Sequence, residues 1–190
     1  MVVGLTGGIA SGKSFVSDYI EKKNYFVLDT DKLYKELIKP NNVCYKALIK
    51  TFPYLNEDLT IDTKRLGLEV FNNPDKLKLL NSIVHPLIYK ECQKIINEHI
   101  GELMFLVVPL MFESHFDSLC DKIICVYVSG NTQIKRLMAR DNISYDLARK
   151  KIANQMDVKE KMEKSDILLE SCEDFNDTIK NIEKVLKEII

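Results

Sequence analysis

The sequence predicts an α/β fold built on a doubly wound parallel sheet. Three observations predict it. Short, unbroken apolar runs such as LMFLVV (Leu103 to Val108) and KIICVYV (Lys122 to Val128) suit parallel strands covered on both faces. These runs alternate with segments of helical period. The first run leads into the glycine-rich stretch GLTGGIASGKSF (Gly4 to Phe15), which opens a helical pattern.

Val2 to Thr6 reads as a buried strand, and the helix after the glycine-rich loop spans about Lys13 to Lys22. Tyr25 to Leu28 reads as a second strand. Asp29 to Lys39 begins with acidic residues and turns helical, stopping at Pro40-Asn41-Asn42. Residues 43 to 100 read as mostly helical, with breaks at Pro53, Pro74 and Pro86. The runs at Leu103 and Lys122 end at Pro109 and at Ser129-Gly130. Helices are expected over Thr132 to Arg140 and Ser144 to Asn154, and a short strand over Ile167 to Leu169. Asp174 to Ile190 is a closing amphipathic helix, with Phe175, Ile179, Ile182, Val185 and Leu186 on one stripe. The expected organisation is a core of residues 1–31, 101–132 and 156–190, a helical insertion over 32–100, and a small helical lid over 133–155.

Composition narrows the function. A net charge of -1 over 190 residues supplies no global field toward nucleic acid or anionic membrane, so any anion site must be built locally. The five cysteines form no CxxC pair, and three histidines are few for a metal centre, so free thiols in a reducing compartment are expected. The longest apolar run, Leu103 to Phe112, is too short to span a bilayer. The loop begins where a charged leader would be, so no signal peptide is expected. The expectation is a cytoplasmic protein, a monomer or weak homo-oligomer, that works on small molecules and binds neither nucleic acid nor membrane.

Gly7 to Ser14 matches GxxxxGK[ST] in full. A glycine-rich backbone can curl so that successive N–H groups point inward, and the following helix adds its positive end. Gly8, Ile9, Ala10, Ser11, Gly12, Lys13, Ser14 and Phe15 are therefore the expected ATP-binding residues. Lys13 would reach the β- and γ-phosphates, and the Ser14 hydroxyl would ligate Mg²⁺. Asp29 and Asp31 flank Thr30; on extended chain they share a face at the carboxyl edge of the sheet, unless one of them caps the next helix. Asp31 is the candidate that orients an attacking hydroxyl.

Neither an NKxD nor a DxxG motif is present, and the strand LMFLVVP ends in Pro109 rather than in a metal-binding aspartate. A small-molecule kinase fits this better than a GTPase or a motor. The segment Gln133 to Gln155 is rich in Lys and Arg, and Arg140, between two helices, is its candidate phosphate contact. Glu113 and His85 are weaker candidates: an acid after an apolar strand and a histidine before a proline. A kinase of another nucleoside, nucleotide or alcohol, and a nucleotide-responsive binding module, stay open at this point.

Taken together, GLTGGIASGKS, LDTD (Leu28 to Asp31), IVHPLI (Ile83 to Ile88), VVPLMFE (Val107 to Glu113), QIKRLMARD (Gln133 to Asp141) and ANQM followed by EKMEKSD (Ala153 to Asp166) resemble the dephospho-CoA kinases across nearly the whole chain. The resemblance implies a P-loop NTPase-type core of the adenylate-kinase-like branch, with a helical acceptor-binding insertion and a lid. It implies transfer of the γ-phosphate of ATP, with Mg²⁺, to the ribose 3′-hydroxyl of dephospho-CoA. It implies catalytic roles for Asp31, Lys13 and Arg140, and acceptor binding by Asp31, His85 and Glu113. Four positions depart from the family pattern. Ala10 and Asn41 replace usual glycines, and alanine is expected to require a negative φ at its position. Thr63 replaces a frequent arginine, for which Arg65 is out of helical phase. Glu170 replaces a common asparagine on the adenine side.

Overall fold

The computed structural model describes residues 1–71 and 73–190. Strands β1 (Val2–Gly7), β2 (Phe26–Asp29), β3 (Met104–Val107), β4 (Lys122–Tyr127) and β5 (Ile167–Glu170) form one sheet in the order β2-β3-β1-β4-β5. β1 runs parallel to β3 and β4, and β4 parallel to β5. This is the predicted α/β sheet. The chain divides into two compact units, Met1–Val27 with Gly101–Ile190, and Leu28–Ile100.

In the first unit every residue of β1 and β3 is buried, and alternation sorts them onto two faces. Val3, Leu5, Phe105, Val107, Ile124 and Val126 face a core completed by α1 (Lys13–Lys22) and α9 (Phe175–Ile189). Val16, Ile20, Ile182, Val185, Leu186 and Ile189 supply the helical side. On the other face, a Cβ added at Gly4 would meet Cys120 and Met111, so the segment after β3 lies directly on the sheet. α8 (Val158–Glu163), a helix absent from the sequence expectation, covers β1 and β4 there. β5 buries Ile167 and Leu169 and exposes Leu168 and Glu170, as an edge strand does.

The second unit holds α2 (Thr30–Leu37), α3 (Val43–Thr51), α4 (Thr63–Phe71) and α5 (Pro74–Glu98), with α5 packed on the other three. Asn41 takes φ 71, the left-handed geometry expected of it. Pro86 does not break the helix as the sequence suggested: α5 runs 25 residues with Pro86 inside. Its missing N–H costs one backbone bond, whereas Val84, Ile88 and Cys92 keep one buried stripe on both sides of it, and that burial keeps the helix continuous. Leu55 and Ile61 form an isolated antiparallel bridge. Among the described residues no helix is long and apolar enough to cross a membrane.

Ile182 is 1% exposed at the meeting of α9 with the sheet. Ile182→Ala should destabilise the fold by about 2–5 kcal/mol, read as a lower urea midpoint. A change under about 1 kcal/mol would mean that α9 is not part of the core.

Candidate active site

The glycine-rich loop lies between the end of β1 at Gly7 and the start of α1 at Lys13. Gly7 sits at φ 148, and a Cβ there would come 2.1 Å from the Val126 carbonyl oxygen, so only glycine lets β1 leave the sheet so close to β4. Gly12 caps α1 with φ 97, and a Cβ there would come 2.3 Å from Ser171 Oγ. Helices α2, α5, α6 (Gly130–Asp141), α7 (Tyr145–Ala153), α8 and α9 are each closed by a side chain, from Asp29, Asn73, Ser129, Ser144, Asp157 and Asp174 respectively. α1 and α3 have neither a capping side chain nor an acidic residue in the first turn, and of the two only α1 follows the glycine-rich loop. Its amino end offers N–H groups and an uncompensated partial positive charge to an anion.

Side chains complete the loop. Lys13 Nζ donates to the Gly7 carbonyl at 3.2 Å, across the mouth of the turn. Ser14 is exposed in the first turn of α1. Ser11 Oγ is buried without a hydrogen-bond partner among the described residues, a polar atom left over inside the loop. Ile9 is held on both sides: its N–H donates to Gln155 Oε1 at 3.0 Å, and its carbonyl accepts from Gln133 Nε2 at 2.9 Å.

Ala10 corrects the expectation of a negative φ: it adopts φ 58. The bonds on Ile9 and the turn Ser11 N–H to Gly8 carbonyl (3.2 Å) close the loop so tightly that the left-handed region is imposed on a residue with a Cβ.

The aspartates also differ from the extended-chain picture. β2 ends at Asp29, whose Oδ1 accepts from the N–H groups of Asp31 (2.8 Å) and Lys32 (3.1 Å). Asp29 is the cap, and Asp31 lies in the first turn of α2, so the two do not share one strand face.

Glu113 accepts from the Met156 N–H at 3.1 Å and pairs at 2.9 Å with Lys161, which is fully buried and also donates to the Pro109 carbonyl at 2.8 Å. Lys161 was missed in the sequence because it sits in the charged run EKMEKSD, which reads as a solvated face. Arg140 lies at the end of α6 and pairs with Asp141 at 2.8 Å; Lys151 of α7 reaches the same carboxylate at 2.7 Å. Arg140 first, then Lys151, hold the Asp141 pKa down at about 2. Arg136, one turn earlier, donates to Ser171 Oγ (2.9 Å) and the Cys172 carbonyl (2.6 Å). It walls a cleft of about 550 Å³ beside Gly12, with Phe15 and Phe175, whose ring centroids are 5.0 Å apart, lining the same space.

In the second unit, His85 is half-buried on α5, and burial lowers its pKa. Arg65 stacks its guanidinium 4.7 Å over the Tyr54 ring, while its N–H is accepted by Asp62 at the start of α4. Cys44, Cys92 and Cys125 are buried thiols whose pKa values burial pushes up to about 11, 12 and 11.

Ala10→Gly should raise stability by about 1–2 kcal/mol by relieving the left-handed strain, read as a higher urea midpoint; a loss of stability would contradict the assigned φ. The Asp141 cluster predicts a pH effect. Because the folded-state pKa is depressed to about 2, its stabilisation is complete above the ordinary carboxylate pKa of about 4 and disappears as pH falls toward 2. Asp141→Asn should therefore be less stable than the parent at neutral pH and indistinguishable from it at the acid end. A stability gap that persists unchanged at low pH would contradict this.

A family profile described as dephospho-CoA kinase matches residues 1–177. A dephospho-CoA kinase of Fusobacterium nucleatum is 37% identical over 191 residues, covering 100% of this chain and 98% of that protein. One of Carboxydothermus hydrogenoformans is 38% identical, covering 98% and 93%. Among solved structures, a dephospho-CoA kinase from Campylobacter jejuni superimposes with a TM-score of 0.74 at 28% identity, covering 99% of this chain and 96% of that one. A shikimate kinase from Bacteroides thetaiotaomicron shares the fold alone, at TM-score 0.57 and 12% identity. A loop that leaves a helix end open to phosphate, in a chain that matches such relatives from end to end, leaves one assignment: the chain belongs to the dephospho-CoA kinase family.

Proposed function

We propose that the chain transfers the γ-phosphate of ATP to the ribose 3′-hydroxyl of dephospho-CoA, releasing ADP and coenzyme A. The observation that carries this reading is the uncapped amino end of α1, with Lys13 across the mouth of its loop, in a chain of this family. Phosphoryl transfer asks the protein for positioning and charge neutralisation more than for covalent chemistry. The N–H groups of Ala10 and of Gly12 to Phe15, with Gly8 and Ile9 at the loop's entrance and Ser11 closing its turn, hold the phosphates, and Lys13 exchanges the Gly7 carbonyl for their oxygens. The cleft walled by Arg136, Phe15 and Phe175 suits a purine base, which stacks on aromatic and guanidinium planes.

Mg²⁺ fits the residues present. The Ser14 hydroxyl is exposed at the helix end, and among the described residues no cluster of three or more His, Cys, Asp or Glu forms a metal cage. The Ser14 hydroxyl together with the nucleotide's own phosphate oxygens and water would hold such a hard cation. Bound with the nucleotide, it neutralises charge on the β- and γ-phosphates. Asp31 accepts the proton of the acceptor hydroxyl while the new O–P bond forms and the bond to ADP breaks. Arg140 leaves Asp141 for the transferring phosphate. His85, whose burial favours the neutral ring, and Glu113 contribute to the acceptor's site. The lid is residues 133–155, and the insertion 32–100 binds the acceptor. The buried free thiols suit a reducing compartment, and the reading is a cytoplasmic enzyme, monomeric or weakly self-associating, with no nucleic-acid partner.

With ATP, Mg²⁺ and dephospho-CoA, the protein should form ADP and coenzyme A in equal amounts, and a panel of nucleosides, nucleotides and small alcohols should give far less ADP. Asp31→Asn should lower kcat by about 10²–10⁴ with nucleotide affinity changed little, whereas Lys13→Ala should lower both. Release of ADP that does not depend on dephospho-CoA, or an Asp31→Asn enzyme of unchanged kcat, would refute the assignment.

A further inference from the structure

Ile9 is fastened by two glutamines of different character. Gln133, on α6, is 6% exposed, and its Nε2 holds the Ile9 carbonyl at 2.9 Å; a Cβ on the neighbouring Gly8 would meet that same nitrogen at 2.7 Å. This contact is packed shut. Gln155, just beyond the end of α7, is half-buried, and its Oε1 takes the Ile9 N–H at 3.0 Å. The next residue, Met156, is tethered through its N–H to Glu113, which is paired with the buried Lys161. The backbone at Gln155 is therefore anchored, while its side chain stands at an open edge. Beside Gly8, Gln133, Gln155 and Met156 opens a cleft of about 580 Å³, which Arg149 and Lys159 also line. Asp157 lines it too, and two cations against one carboxylate beside a phosphate loop still favour an anion.

An N–H of that loop is thus occupied by a neutral carbonyl oxygen. We propose that Gln155 is a positioning residue that occupies the Ile9 N–H in the nucleotide-free enzyme and yields it to the terminal phosphate of ATP. An anionic oxygen is the stronger acceptor, so the exchange favours the triphosphate. The glutamine thereby ties the far end of α7 to the state of the loop: with the N–H surrendered, the 133–155 segment loses one of its tethers to the nucleotide site. This inference rests on the phosphate-loop reading of Gly7 to Ser14.

The test is calorimetric titration of the full chain with ADP and with a non-hydrolysable ATP analogue, each with Mg²⁺. Wild type is compared with Gln155→Ala, Gln155→Met, which keeps the stem without the acceptor, and Gln155→Glu. Removing the competing acceptor should tighten the triphosphate analogue about threefold to tenfold in both the Ala and Met variants and leave ADP within about twofold. Gln155→Glu should weaken the triphosphate more than ADP, because a carboxylate both binds the N–H better and repels the phosphate. Amide exchange at Ile9 in the nucleotide-free protein should speed up in the Ala and Met variants and return to the wild-type rate on adding the triphosphate analogue. Equal weakening of both nucleotides would make Gln155 a loop support, selective weakening of the triphosphate in Ala and Met would make it a ligand, and no change would make it a bystander; each overturns the proposal. A wild-type protein that binds neither nucleotide would overturn the kinase reading itself, and the inference with it.

Discussion

Everything in the nucleotide site depends on one unmet need: helix α1 begins without a side chain to accept its first N–H groups. A helix end in that state leaves its N–H groups to a ligand or to water, and the sequence around it keeps it open. Gly12 denies the cap a side chain and lets Ser171 pack 2.3 Å from where a Cβ would stand. Gly7 lets the chain turn out of the sheet against the Val126 carbonyl. The strands deliver the loop, and the core behind them, built from alternate residues of β1, β3 and β4 with α1 and α9, keeps it in place. Sheet order contributes as well, because β1 is central and its carboxyl end is flanked by those of β3 and β4.

The loop is not held by its glycines alone. Gln133 and Gln155 fasten Ile9, Arg136 fastens the Ser171–Cys172 backbone that abuts Gly12, and Lys161 fastens Glu113 and Pro109 behind Met156. These supports come from α6, α8 and the turn between α7 and α8, which follow the loop by more than a hundred residues. The left-handed Ala10 is a consequence of the same tightness, since a strained φ persists only where surrounding bonds determine the backbone. Lys161 illustrates the energetics of such support. Its ammonium is buried, and a Glu carboxylate and a backbone carbonyl both accept from it, so losing either partner would leave a desolvated charge.

Much of this was legible in the residues. The unbroken apolar runs marked β1, β3 and β4 to within a residue or two, the amphipathic stripe marked α9, and the glycine-rich motif marked the loop. These features are local: strand burial, helical period and tight turns are each encoded within a few residues. The family pattern was legible for a similar reason, since the motifs occur in a fixed order along the chain. The Asp29–Asp31 pair was less legible. Both are acids at the end of a strand, and which one caps the next helix depends on where the strand stops, a boundary no local pattern specifies.

By itself the sequence determined the α/β architecture, the position of the phosphate loop and the family. Only the tertiary structure decided that Ala10 turns left-handed, that α5 runs through Pro86, that Asp29 serves as the cap, and that Lys161 is buried under Glu113. Asp29 is the exception: its bonds to Asp31 and Lys32 are local, and only the end of β2 decides which acid caps. In the other three a local preference was outweighed by burial or hydrogen bonding to residues distant in the chain. Such partners come into reach only once the sheet and its helices have assembled.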